Sequence, residues 1–110
     1  MAKSQRDKGA RVEREFVHRH TDIGIEAERV PLSGAVKGKR AGDGHDIDIY
    51  AFGPDAAPLC CEVKARKNGA GFKVLEDWLG DNDGLFLKRN NADPLVVLPW
   101  RVWEKLLRDT

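Results

Sequence analysis

Between Ser4 and His20 the apolar or aromatic positions Val12, Phe16, Val17 and His20 return at helical spacing among charged residues. This pattern predicts an amphipathic helix with one stripe toward a core and Ser4 as its cap. After Thr21 and Gly24, residues 25–30 alternate and predict a strand, stopped by Pro31. The stretch 32–44 differs in kind: Ser33, four glycines, Lys37, Lys39 and Arg40 predict a mobile, basic surface loop. Residues 46–52 alternate strictly, with Ile47, Ile49 and Ala51 on one face and Asp46, Asp48, Tyr50 and Phe52 on the other. Gly53, Pro54 and Asp55 form a turn into a second strand over 59–65, so the two runs predict a hairpin. Phe72, Val74, Leu75, Trp78 and Leu79 mark a helix ended by Gly80. Strands over 85–88 and 95–98 precede a closing helix over 100–108 that presents Val102, Trp103, Leu106 and Leu107. The order αβββαββα predicts one α/β domain spanning residues 1–110.

Composition narrows this picture. A chain of 110 residues with 41% apolar content has the length of one globular domain. Its longest wholly apolar runs are a few residues, far below the roughly 20 that span a membrane, and its polar start does not read as a signal peptide. The expectation is a cytoplasmic protein, in the host's cytoplasm if the source is viral, with no membrane partner. The net charge of +1 conceals an asymmetry, because residues 1–40 carry +4 and residues 41–110 carry −3. A basic region beside a group of carboxylates suits a metal-dependent enzyme acting on nucleic acid, although charge runs are also common on solvated faces. Cys60 and Cys61 are adjacent and supply no CxxC half-site, so they read as buried small apolar groups. Trp78, Trp100 and Trp103 read as core or dimer residues rather than stacking platforms.

The chemistry converges on the hairpin. Asp48 lies on its first arm, and Glu62 and Lys64 share one face of its second. Two carboxylates hold a hard cation such as Mg²⁺, and a neighbouring ammonium orients a water or meets phosphate charge. The plain alternative is a solvated sheet face. Asp46 competes with Asp48 as the strand carboxylate; Asp48 is favoured because the apolar run 49–52 follows it directly.

Asp48 followed by Glu62-Val63-Lys64 resembles the PD-(D/E)xK nuclease superfamily, and the flanks resemble the archaeal-type Holliday junction resolvases and their phage and bacterial relatives. Residues 9–15, GARVERE, resemble the start of that family's first helix, where Glu13 matches a metal-site glutamate. Glu15 lies about 200° around the helix from Glu13, so only one of the two faces a site. Residues 24–34, GIEAERVPLSG, resemble the family's strand and its Pro-x-Ser-Gly turn, with Ser33 matching a catalytic serine. EVKARK at 62–67 resembles the basic extension after the ExK strand, and the apolar segment 94–99 falls where the family has a late strand. The resemblance runs from about Lys8 to Leu107.

It implies a restriction-endonuclease-like fold with a central mixed β-sheet flanked by helices. It further implies an endonuclease that resolves four-way DNA junctions by paired hydrolysis, using Mg²⁺ with Mn²⁺ as a substitute. Catalytic roles fall on Glu13, Ser33, Asp48, Glu62 and Lys64, and metal ligation on Glu13, Asp48, Glu62 and Val63. Backbone contacts to DNA fall on Lys3, Arg6, Lys8, Arg11, Arg29, Lys37, Lys39, Arg40, Arg66 and Lys67. A two-fold symmetric junction calls for a homodimer with two active sites. Two rivals stay open: a nuclease of the same superfamily with a flap, single-strand or duplex substrate, and a catalytically silent DNA-binding module.

Overall fold

The computed structural model describes residues 2–30, 44–69 and 71–109, with side chains in the first helix from Lys8 onward. In chain order the elements are α1 (Ala2–Thr21), β1 (Ala27–Arg29), β2 (Ile47–Ile49), β3 (Leu59–Cys61), α2 (Phe72–Leu79), β4 (Leu85–Leu87), β5 (Leu95–Val97) and α3 (Trp100–Arg108). The expected order αβββαββα is therefore the observed one. The residues gather into two compact units, Met1–Ala65 and Arg66–Thr110.

In the first unit the stripe of α1 faces inward: Val12, Phe16 and Val17 are half-buried and His20 is 2% exposed. The helix ends where Gly24 takes φ +86°. Gly24 N donates to Thr21 O at 3.0 Å and Ile25 N to His20 O at 2.9 Å, so the two last open carbonyls are closed by a glycine in a left-handed conformation. The chain then enters β1. β1, β2 and β3 form one antiparallel sheet in that order, with Ala27, Glu28 and Arg29 opposite Ile49, Asp48 and Ile47. Ile47, Asp48 and Ile49 in turn face Cys61, Cys60 and Leu59. Helix α1 lies along β1 and β2. Ile47 and Ile49, at 2% and 3% exposure, are the buried face that the alternation predicts.

All three strands are shorter than the sequence pattern, for identifiable reasons. Ile25 N closes α1 and is lost to the ladder, while Tyr50 N→Glu26 O and Val30 N→Asp46 O continue the pairing beyond β1 on both sides. After Cys61 the N–H of Val63 bonds the Asp46 carboxylate instead of a neighbouring carbonyl.

In the second unit, α2 is closed by Gly80, whose φ is +52° and whose N–H reaches Glu76 O. β4 pairs antiparallel with β5, with Phe86 opposite Val96. Pro99 starts α3, accepting from Val102 N and Trp103 N at 3.0 and 3.2 Å. Glu104 accepts from Trp100 Nε1 at 2.9 Å and from Arg108 at 3.0 Å, and Leu107 is buried.

Three expectations need correction. The sheet structure among the described residues is two antiparallel sheets, of three and two strands, rather than one mixed sheet; the connections from β2 to β3 and from β4 to β5 are short and carry no crossover helix, which parallel pairing would need. Cys60 is exposed and Cys61 half-buried, because alternation turns Cys61 to the covered face with Ile47 and leaves Cys60 beside Asp48. Trp78 is 60% exposed, so of the expected core or dimer roles the core one is corrected. No helix among the described residues is long and apolar enough to cross a membrane.

Candidate active site

The hairpin carries Asp48 on the sheet face opposite Ile47 and Ile49. Asp48 lies between Glu28 of β1 and Cys60 of β3. Tyr50 O–H donates to Glu28 Oε2 at 3.3 Å. Burial first, and then the carboxylates of Glu28, Asp48 and Glu26, push the Tyr50 phenol above its ordinary pKa, a sign of the negative field on this face.

Asp46 and Asp48 have different partners. Asp46 N donates to Cys61 O at 2.9 Å, and Asp46 Oδ2 accepts from Val63 N at 2.7 Å. Asp46 is thus bonded to both chain neighbours of Glu62. Asp48 Oδ1 lies 2.6 Å from His45 Nε2, and both side chains are largely covered, at 15% and 11% exposure. Glu62 and Lys64 pair with each other at 3.0 Å, each about half exposed. A pair so exposed is worth under about 1 kcal/mol, so either partner is readily released to a ligand.

Glu13 lies elsewhere. Its Oε1 accepts from Arg29 Nε at 3.0 Å, with Glu13 15% and Arg29 31% exposed. Arg29 faces Ile47 in register, and alternation puts it on the sheet face opposite Glu28 and Asp48. Glu13, Asp48 and Glu62, expected together, are therefore not gathered. Glu15 turns outward to Arg19 at 2.9 Å.

The donor set that comes closest among the described residues is His45, Asp48 and Cys60, whose ligand atoms all lie within 4.8 Å of one another. Sequence reasoning held His45 only as an outside candidate for the edge of the site and did not bring in Cys60, which the hairpin register sets across from Asp48. Beside it, Asp46, Glu62 and the main chain of Val63 supply only oxygen, and that chemistry fits a hard divalent cation such as Mg²⁺.

Ser33, Lys37, Lys39 and Arg40, with nearly all of the expected loop 32–44, lie outside the described residues, as do the side chains of Lys3 and Arg6. Lys8 is half-buried and Arg11 exposed on α1; Arg66 and Lys67 are exposed at the start of the second unit.

An aspartate at the bend before β2, bonded on both sides of the Glu62 position that opens a Glu-x-Lys run after β3, in an α/β chain, is consistent with the PD-(D/E)xK nuclease class. The family model described as archaeal Holliday junction resolvase (Hjc) matches residues 4–101, and the chain belongs to that family. Membership makes it a DNA-binding nuclease of recombination and repair, of the Holliday junction-resolving kind. No curated protein and no solved structure matches the chain.

Proposed function

We propose that this chain is a metal-dependent endonuclease that resolves four-way DNA junctions by paired phosphodiester hydrolysis, working in the cytoplasm as a homodimer. The observation that carries the reading is the bonding of Asp46 to both neighbours of Glu62. We assign Asp46, just before β2, rather than Asp48 within it, as the carboxylate that acts with Glu62. These two, with the Val63 carbonyl, would hold Mg²⁺ or Mn²⁺. A bound divalent cation supplies Lewis-acid polarisation of the scissile phosphate and a water of lowered pKa.

The chain's own residues do the rest. Lys64, paired with Glu62 at 3.0 Å and about half exposed, would present its ammonium to the attacking water or a phosphate oxygen. Arg29 is held at Nε by Glu13 and would turn its guanidinium to backbone phosphate; Glu13 acts here by positioning Arg29. Lys3, Arg6, Lys8, Arg11, Arg66, Lys67 and the basic loop with Ser33 extend the contact along the backbone. Sequence-independent contact of this kind makes binding fall steeply with salt.

Two protomers match the two-fold symmetry of the junction. Apolar side chains in the second unit support pairing of copies: Phe86 is 83%, Leu95 65%, Trp78 60% and Val96 52% exposed.

The test compares cleavage of a four-way junction with duplex of the same sequence in Mg²⁺, for the natural chain and Glu62→Gln. Junction-selective cutting, lost by about 10³-fold or more in the variant with junction binding retained, is expected. Equal cutting of duplex would move the substrate to the rival nuclease reading. Undiminished cleavage by Glu62→Gln would remove the assignment.

A further inference from the structure

We propose that the turn between β4 and β5, at Arg89, Asn90 and Asn91, is a second contact to DNA, one that enters the minor groove of a duplex arm. The inference rests on the proposed contact with DNA and involves none of the carboxylates around the cation. Three observations carry it. Arg89, Asn90 and Asn91 are exposed and follow one another at the tip of the hairpin. The tip has a fixed form: Ala92 N and Lys88 Nζ both donate to Arg89 O, at 3.2 and 2.9 Å, and Asn91 takes φ +61°, a left-handed conformation that asparagine tolerates better than most side chains. Charge pairing then singles out Arg89. In the same unit Lys73, Arg101, Lys105 and Arg108 pair with Asp77, Asp83, Asp109 and Glu104 at 3.0, 2.8, 3.2 and 3.0 Å. Arg89 has no ion pair among the described residues, although Asp93 is four residues away.

The residue types select the partner. A guanidinium is a fork of donors suited to an anionic or acceptor-rich surface, and each carboxamide offers both donors and an acceptor. Arginine and asparagine are among the side chains that read the minor groove, where A·T pairs present only acceptors and a narrow groove concentrates negative potential. That groove is about 6 Å wide, which admits the side chains of one tight turn but not a helix. An acidic protein partner would account for Arg89 alone and leave the two carboxamides without a role. Lys88, bonded to the turn, braces it rather than reaching outward. The tip belongs to the second unit and holds no carboxylate and lysine set of its own, so its contribution is to binding.

The experiment measures binding of the full chain to a labelled four-way junction with A·T-rich arms by fluorescence anisotropy, without divalent cation so that nothing is cut, over about 50–200 mM salt. Arg89→Gln is expected to weaken binding about three- to tenfold and to lower the slope of log affinity against log salt by about one, as loss of one cation from the DNA surface requires. Lys105→Gln removes the same charge from an ion pair and is expected to leave the slope unchanged. Netropsin, which fills the A·T minor groove, is expected to weaken binding of the natural chain and to have little further effect on a chain carrying Arg89→Gln, Asn90→Ala and Asn91→Gly, where glycine keeps the left-handed turn. Melting curves check that each variant is folded. An unchanged slope in Arg89→Gln, an equal loss in Lys105→Gln, or netropsin that acts alike on both chains would overturn the contact. Cleavage of the same junction by the natural chain in Mg²⁺ reports separately on the nuclease, so loss of one reading leaves the other standing.

Discussion

The two sheets of this chain use the same short strands to opposite ends. In β1–β2–β3 the helix α1 lies along the sheet, Ile47 and Ile49 are sealed at 2% and 3% exposure, and the polar residues share the other face. In β4–β5 the apolar residues Phe86, Val96 and Leu95 are 83%, 52% and 65% exposed, while Leu85, Leu87 and Val97 are only half-buried. A two-stranded sheet is marginal by itself. The difference teaches a division of labour: one unit carries a closed core that fixes chemical groups, and the other leaves apolar side chains exposed, which the proposed pairing of copies would cover.

The comparison is most easily broken in the closed unit. Ile47→Ala removes buried methylenes from a sealed position, and a loss of about 2–4 kcal/mol is expected in denaturant unfolding; a loss below about 0.5 kcal/mol would mean that this face is not the core. Next comes the open unit. Phe86→Asp is expected to raise the dimer dissociation constant by about tenfold or more in sedimentation equilibrium, since burying a phenylalanine contributes roughly 1.5–3 kcal/mol, while monomer stability stays nearly unchanged. A chain that is monomeric at micromolar concentration before substitution would remove the partner role of this sheet.

A smaller effect sharpens the account of the first unit. Burial holds the pKa of His20 below its ordinary value of 6.5, against the opposing effect of the bond from Nδ1–H to Phe16 O at 2.7 Å. The folded state therefore resists the proton that the unfolded chain accepts. Stability is full above about pH 6.5 and falls as the pH drops from there through the folded pKa. His20→Gln is expected to flatten that part of the profile measured by thermal melting, and an unchanged slope would contradict it.

Much of this organisation was legible in the residues. The stripe of α1, the bounds of α2 and α3 and the hairpin follow from periodicity and glycine stops, because those signals are local. The buried pair Ile47 and Ile49 followed from alternation alone. What periodicity could not show is which groups meet across the sheet. The preference for Asp48 rested on the apolar run after it, whereas Asp46 is the residue bonded around Glu62, because its side chain replaces a ladder bond to Val63. The pairing of Glu13 with Arg29 was hidden for the same reason: sixteen residues separate them, and only the packing of α1 on β1 joins them. Cys60 was misread as buried because adjacent cysteines say nothing about which one faces the covered side.

The central claim is that Asp46 and Glu62, not Asp48 and Glu62, carry the hydrolysis. The most direct measurement is single-turnover cleavage of a four-way junction in Mg²⁺ by Asp46→Asn and Asp48→Asn side by side, with junction binding measured for both. The account predicts a loss of about 10³-fold or more for Asp46→Asn and less than about tenfold for Asp48→Asn. The reverse order, or full activity in Asp46→Asn, would contradict it.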